Sequence, residues 1–186
     1  MTAPPLIQID PAKYATRLTT TVRRLIDAEA CEPRFSRLLL ALGIASRHLS
    51  REEALDTLSP AQLDAPINLL TILERNGVDD CLWALCATEQ NSDVVARLMA
   101  ADFAELVLPI FDRHYPDNPI ARTAINVARA YAVGSATEDQ RRAALAALAA
   151  RAALAARDAR DARAARAALD AQKEIIHSYL LPGVAS

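Results

Sequence analysis

Five charged or amide side chains in the second half of the chain have the types and spacing of a polar site. Asp102 and Glu105 lie three residues apart, which places both carboxylates on one face of a helix. Arg122 and Arg129 lie seven residues apart, two helical turns, and flank Asn126 on the next predicted helix. If the two helices form an antiparallel hairpin, the carboxylates can face the guanidinium groups. The cluster is then either a structural ion-pair network that fixes helix register or a polar patch for a partner.

A second candidate binding site follows Gly77. Asp79, Asp80 and Trp83 lie in a short predicted helix and combine two carboxylates with the single tryptophan of the chain. We take these three residues as secondary candidates for binding a partner.

The residue types that most often carry catalysis or bind metals are scattered. No histidine has a partner at metal-ligand spacing, and the chain's four glycines form no phosphate-binding loop. No Ser, Cys or Thr stands in a nucleophile-elbow motif. The histidines are His48, His114 and His177, and the cysteines are Cys31, Cys81 and Cys86. The sequence therefore predicts no catalytic residue, no metal and no cofactor.

The stretch from Ala143 to Ala171 contains 17 alanines among 29 residues, which predicts a helix because alanine has the highest helix propensity. Four arginines within it step by three, so each lies about 60° back from the last and they wind around the helix. These are Arg157, Arg160, Arg163 and Arg166. A solvated helix, a partner-binding arm and a nucleic-acid-binding helix all stay open, and the winding makes the last the least favoured.

Proline and capping residues predict where the other helices begin and end. Ser50 with Glu53, and Thr137 with Gln140, have the spacing of capping boxes. Asp10-Pro11 predicts a helix start, and the apolar periodicity from Lys13 to Ala30 predicts that this helix continues. No window alternates apolar and polar residues with enough β-branched residues to predict a strand, and Leu6 to Ile9 comes nearest. The predicted fold is all-α, with seven or eight helices in a bundle or orthogonal array and a long Ala-rich C-terminal helix.

Length and charge predict one helical domain over residues 1–186. A helical body would cover 10–135, and the Ala/Arg-rich helix of 137–181 would pack on it or protrude. The formal net charge of −2 divides into +5 over residues 141–173 and −7 elsewhere, a division that favours self-association or a charged partner. No apolar run is long enough to span a bilayer and no secretory signal is expected, so we predict a cytoplasmic protein that binds neither membrane nor nucleic acid.

One segment also resembles a known family. The chain from about Leu69 to Ala171 is similar to an all-helical immunity protein family of bacterial polymorphic toxin systems. The upstream stretch LLTILERNGVDDCLWAL is similar to a helix–Gly–Asp–Trp element of related bacterial proteins. The residues that match the family pattern are Asp102, Ala104, Glu105, Leu108, Phe111, Asp112, Pro116, Asp117, Pro119, Arg122, Ala124, Ile125, Ala128, Arg129 and Tyr131. The resemblance implies a toxin-neutralising binder and identifies no particular toxin.

Three functions are therefore open from the sequence. The leading one is a non-enzymatic cytoplasmic protein-binding domain, an immunity protein that neutralises a cognate bacterial toxin. The alternative is a helical scaffold that associates with itself through its Ala-rich helix. The third is an enzyme whose site the sequence does not reveal.

Overall fold

The computed structural model describes residues 4–116, 118–145 and 162–180. Helices dominate these residues, and the predicted all-α class is confirmed. The helices are more numerous and shorter than the seven or eight that the sequence predicts. Within the described ranges, no helix combines the length and apolar character that crossing a membrane requires.

The helices and strands follow one another in this order along the chain. The α-helices are α1 (Val22–Asp27), α2 (Glu32–Ala41), α3 (Arg51–Thr57), α4 (Pro60–Leu63), α5 (Leu69–Asn76), α6 (Val78–Ala84), α7 (Asp93–His114), α8 (Ile120–Ala132), α9 (beginning with residues 138–145) and α10 (Ala162–Leu180). Two 3₁₀ helices cover Pro11–Lys13 and Leu85–Ala87. Two short strands, β1 (Thr19–Thr20) and β2 (Ile67–Asn68), pair antiparallel.

The described chain divides into two compact units. The first unit combines Met1–Tyr14 with Asp93–Tyr179, and the second combines Ala15–Ser92 with Leu180–Ser186. The single domain over 1–186 therefore stays a prediction. The middle of the predicted Ala/Arg-rich helix, residues 146–161, lies outside the described residues.

Local capping explains most helix boundaries. The Ser50 hydroxyl accepts a hydrogen bond from the Glu53 amide, and the Glu53 carboxylate accepts one from the Ser50 amide, so α3 begins with the predicted capping box. Thr137 and Gln140 exchange the same two bonds at the start of α9. Gly77 separates α5 from α6 with a φ of +93°, a conformation that side chains disfavour.

The predicted helix from Asp10 onward is wrong beyond its first turn. Asp10 caps only the three residues Pro11–Lys13, and the chain is extended before α1 begins. Thr19 and Thr20 form β1 instead, because β-branched residues favour a pleated conformation. Thr21 then caps α1 by accepting a hydrogen bond from the Arg24 amide.

The second unit has a core of buried aliphatic and aromatic side chains from its short helices. Phe35 and Leu39 of α2 are 2% and 0% exposed, and they belong to the buried apolar face of that helix. The other fully buried large residues of this unit include Leu18, Val22, Leu25, Leu69 and Ile72.

In the first unit, α7 and α8 form the hairpin that the sequence predicts. Leu108, Ala121 and Ile125 are buried together between them, with Leu6, Ala104 and Phe111 packed against this cluster. The helix α7 continues through Pro109 as one element. The hairpin places Arg129 of α8 opposite Asp102 and Glu105 of α7.

Candidate functional site

Arg129 is the centre of the candidate polar site. Its side chain is 4% exposed, and its Nη2 donates to Asp102 Oδ1 at 2.5 Å and to Glu105 Oε2. Its Nε donates to the same Asp102 oxygen at 3.2 Å, and its Nη1 donates to the Ile7 carbonyl at 2.9 Å. Burial acts to lower the pKa of Arg129, but the hydrogen bonds to both carboxylates raise it further, and the net direction is upward. The guanidinium therefore remains charged.

Asp102 also contacts the C-terminal helix. Tyr179 of α10 donates its hydroxyl to Asp102 Oδ2 at 2.8 Å. Burial, followed by the bond to this carboxylate, raises the pKa of Tyr179, which keeps the phenol protonated and able to donate. Both oxygens of Asp102 are thus engaged.

Asn126 holds the N-terminal segment. Its Oδ1 accepts from the Ile7 amide at 2.7 Å, and its Nδ2 donates to the Pro5 carbonyl at 2.9 Å. These two bonds tie an N-terminal segment that belongs to no helix or strand to α8.

Arg122 lies apart from this cluster. It donates to Asp112 Oδ2 at 2.5 Å, and the two side chains are 29% and 31% exposed. Of the two arginines predicted to face Asp102 and Glu105, the structure therefore brings only Arg129 to them. The antiparallel hairpin explains this pairing, since a residue nearer the turn on α8 faces a residue nearer the turn on α7.

We refer to Asp102, Glu105, Asn126, Arg129 and Tyr179 as the Arg129 network. Every nitrogen of the guanidinium has an acceptor, and each Asp102 oxygen has a donor. Such a network joins the N-terminal segment, α7, α8 and α10 by hydrogen bonds to charged groups, which are stronger than neutral ones. Its geometry suits positioning of helices better than capture of an external ion.

A second charged cluster contains the predicted residues Asp79 and Asp80. Asp80 is 8% exposed and accepts from Arg34 Nη1 at 2.9 Å and from Asn76 Nδ2 at 2.7 Å. Arg37 Nη2 lies 3.5 Å from Asp80 Oδ2, the oxygen that Asn76 also contacts. Asp79 has a side chain that is 74% exposed and lies 3.5 Å from Arg34.

Sequence reasoning missed Arg34, Arg37 and Asn76 as members of this cluster. The three-residue spacing of Arg34 and Arg37 on α2 is the signal that was present, because it places both on one helix face. The third predicted residue, Trp83, is 38% exposed.

A third cluster surrounds Tyr131, which belongs to the family pattern. The guanidinium carbons of Arg97 and Arg141 lie 5.1 and 5.2 Å from its ring centroid, within cation–π range. Arg141 donates to Glu138 at 2.6 Å, and this bond, followed by one from Tyr131, lowers the pKa of Glu138 to about 2.

The remaining predicted residues belong to the Ala/Arg-rich helix. Arg157 and Arg160 lie outside the described residues, and Arg163 and Arg166 fall in a part of α10 whose side chains are likewise outside them. Among the described residues, no group of three or more His, Cys, Asp and Glu side chains is arranged to hold a metal ion.

These observations define an all-helical protein whose α7–α8 hairpin is fixed by a buried charge network. The segment that contains this hairpin, residues 86–173, matches the family model described as Imm-5 like putative immunity protein. The match covers just under half of the chain and confirms the resemblance found in the sequence. No curated protein and no solved structure matches the chain.

Proposed function

We propose that this protein is a cytoplasmic, non-enzymatic immunity protein that binds a cognate bacterial toxin and occludes its active surface. The family match supports this function, because it covers the α7–α8 hairpin and four of the five residues of the Arg129 network, all but Tyr179. The toxin itself is not identified by the match.

The observation that carries the proposal is an apolar face on α7 within the matched segment. Val107 and Ile110 are 50% and 46% exposed, and their three-residue spacing places them side by side on the helix surface. We call these two residues the α7 apolar face. Large apolar side chains exposed next to one another on a rigid helix are typical of protein interaction sites. The adjacent residue Leu108 is buried in the hairpin core, so α7 is held in place on a different side from Val107 and Ile110.

The pairing within the Arg129 network supports a structural role for these charges and a binding role for the α7 apolar face. Since its guanidinium and the Asp102 carboxylate are already paired, a partner would have to break buried hydrogen bonds to use them. We therefore propose that the network is structural and that the α7 apolar face contacts the toxin.

The experiment is a protection assay with the toxin domain encoded beside the gene of this chain. Cells that produce the toxin should grow when the wild-type chain is present, and the two proteins should copurify. The double variant Val107→Asp/Ile110→Asp should lose both properties while its circular dichroism stays helical. Each added carboxylate would have to be desolvated in the interface, which is costly.

Leu55 offers the matched control, because it is an exposed leucine, at 44%, on α3 of the other unit. Leu55→Asp should protect as well as wild type. Equal protection by the double variant would reject the α7 apolar face, and failure of the wild type to protect would reject the immunity function. A smaller assembly of the isolated variant Val107→Asp/Ile110→Asp than of the isolated wild type, measured as molar mass in solution, would favour self-association instead.

A further inference from the structure

The second unit contains a cavity of about 320 Å³ bounded by α1, α2, α5 and α6. Most of its wall is apolar, and Leu25, Phe35 and Leu38 are at most 5% exposed. The exposed side chains of Cys31 and Trp83 also line it, so the cavity is reachable from solvent. Its volume lies at the lower end of the range of small-ligand pockets, which favours an occupant of one ring or slightly more.

The charged groups at one side of this cavity are already balanced. Arg34, Asp79 and Asp80 line the cavity, and Arg37, which does not line it, lies 3.5 Å from Asp80, so two cations meet two anions. An additional ion would find no excess of opposite charge there. A neutral occupant therefore fits the cavity better than a charged one.

Asn76 supplies an unused hydrogen-bond acceptor. Its Nδ2 donates to Asp80 Oδ2 at 2.7 Å and lies 3.4 Å from the Arg34 carbonyl. Both neighbours are acceptors, so the amide orientation is fixed and the other atom is the carbonyl oxygen. That oxygen, Oδ1, is buried and is the side-chain atom left without a hydrogen-bond partner among the described residues. A buried acceptor without a donor is unfavourable, and a ligand that brings a donor relieves it.

We propose that this cavity binds a compact neutral ring that carries one O–H or N–H donor. The ring packs among Phe35, Leu38 and Trp83. A small shift of the Asn76 side chain, whose Oδ1 is closed to solvent in the unliganded protein, lets the donor bond to that oxygen. The cavity lies outside the matched segment 86–173, so this inference goes beyond the proposed immunity function. Its source is either a free small molecule or a tyrosine or tryptophan side chain of another protein.

The first test compares p-cresol with p-fluorotoluene, a probe of similar shape without the hydroxyl donor. Trp83 is the single tryptophan of the chain, so its fluorescence reports on the cavity. We expect a saturable change with p-cresol and roughly tenfold weaker binding of p-fluorotoluene, the range of one hydrogen bond to a buried acceptor. No saturable change, or equal affinity for the two probes, would overturn the proposal.

Two exposed cysteines provide a second readout in the same molecule. Cys31 lines the cavity, whereas Cys86 is exposed elsewhere in the same unit. Saturating p-cresol should slow modification of Cys31 by a thiol reagent and leave the rate at Cys86 unchanged. Equal effects on both rates would mean that p-cresol acts on the whole protein, which contradicts a site.

The variant Ala30→Leu tests the location, because Ala30 is 5% exposed and lines the cavity. Its larger side chain should abolish p-cresol binding, while Ala61→Leu at an exposed position of α4 should leave binding unchanged. Retained binding in a folded Ala30→Leu protein would reject this cavity. If that variant does not fold, the probe comparison and the Cys31 protection on the wild type still decide.

N-acetyltyrosinamide distinguishes the two sources. Competition with p-cresol at similar concentrations means that the cavity admits a side chain presented by a protein backbone. Binding of p-cresol alone means that the occupant is a free small molecule. None of these measurements involves a toxin, so their failure is distinguishable from failure of the immunity function.

Discussion

Removal of the Arg129 guanidinium tests whether the Arg129 network holds the first unit together. The variant Arg129→Met keeps most of the side-chain volume but leaves both carboxylates and the Ile7 carbonyl without this donor. Breaking a buried ion pair from one side costs about 3–5 kcal/mol, because the remaining charge is stranded. Asp102 and Glu105 have side chains that are 16% and 34% exposed, so Glu105 regains some water. We therefore expect a loss of about 3 kcal/mol, a large part of a typical total stability.

The assay is urea unfolding followed by circular dichroism, and Arg122→Met is the matched control. Arg122 also pairs with one aspartate on α7, but both side chains are about 30% exposed. Partly exposed pairs contribute about 1 kcal/mol or less, so the control should lose far less stability than Arg129→Met. Equal losses in the two variants would refute the argument from burial.

A double-mutant cycle measures the pair itself. We expect Asp102→Ala and Arg129→Ala to couple by about 0.5–3 kcal/mol, as contacting groups do. If the two changes in the free energy of unfolding are strictly additive, the two side chains do not interact in solution. They would then be candidates for binding a partner.

Four further predictions each concern a single residue. Tyr179→Phe removes one bond to a buried carboxylate and should lower the free energy of unfolding by about 1.5–3 kcal/mol in urea titrations. Ser50→Ala removes a capping box and should cost about 1 kcal/mol by the same assay. Glu29 has a φ of +57°, so Glu29→Gly should raise stability by up to about 1 kcal/mol in thermal melts. Glu138 has a lowered pKa, so its contribution to the free energy of unfolding is complete above about pH 4.5 and is lost as pH falls toward 2. A carboxyl NMR titration should show that the pKa of Glu138 rises in Arg141→Ala.

Helix ends were predictable where the necessary residues are neighbours in sequence. Ser50 and Glu53 lie three residues apart, and the chemistry of a capping box requires only those two side chains and their amides. The prediction of a helix from Asp10 onward was wrong for an equally local reason. The run Thr19–Thr20–Thr21 favours an extended backbone and a cap, and this preference outweighed the apolar periodicity around it.

The contacts made by residues of the candidate polar site were predictable from the sequence only where both residues lie in the hairpin. Periodicity placed Asp102 opposite Arg129, because both belong to adjacent helices joined by a short turn. The bonds from Asn126 to Pro5 and Ile7 connect residues about 120 positions apart, and nothing in the local sequence indicates them. Tyr179 was missed for the same reason, since its hydroxyl reaches Asp102 across 77 positions.

The positions that carry the family resemblance are mostly used to build the hairpin. Leu108 and Ile125 are buried in its core, and Asp102 and Arg129 are buried in the network. Residues with these roles specify the shape of the segment and could not be exchanged to suit different partners without disturbing it. Under the proposed immunity function, specificity should therefore lie at exposed positions between them, of which Val107 is the most exposed large apolar residue in the described chain. Under that proposal, exchanging such residues should change which toxin is neutralised while the unfolding curve stays the same.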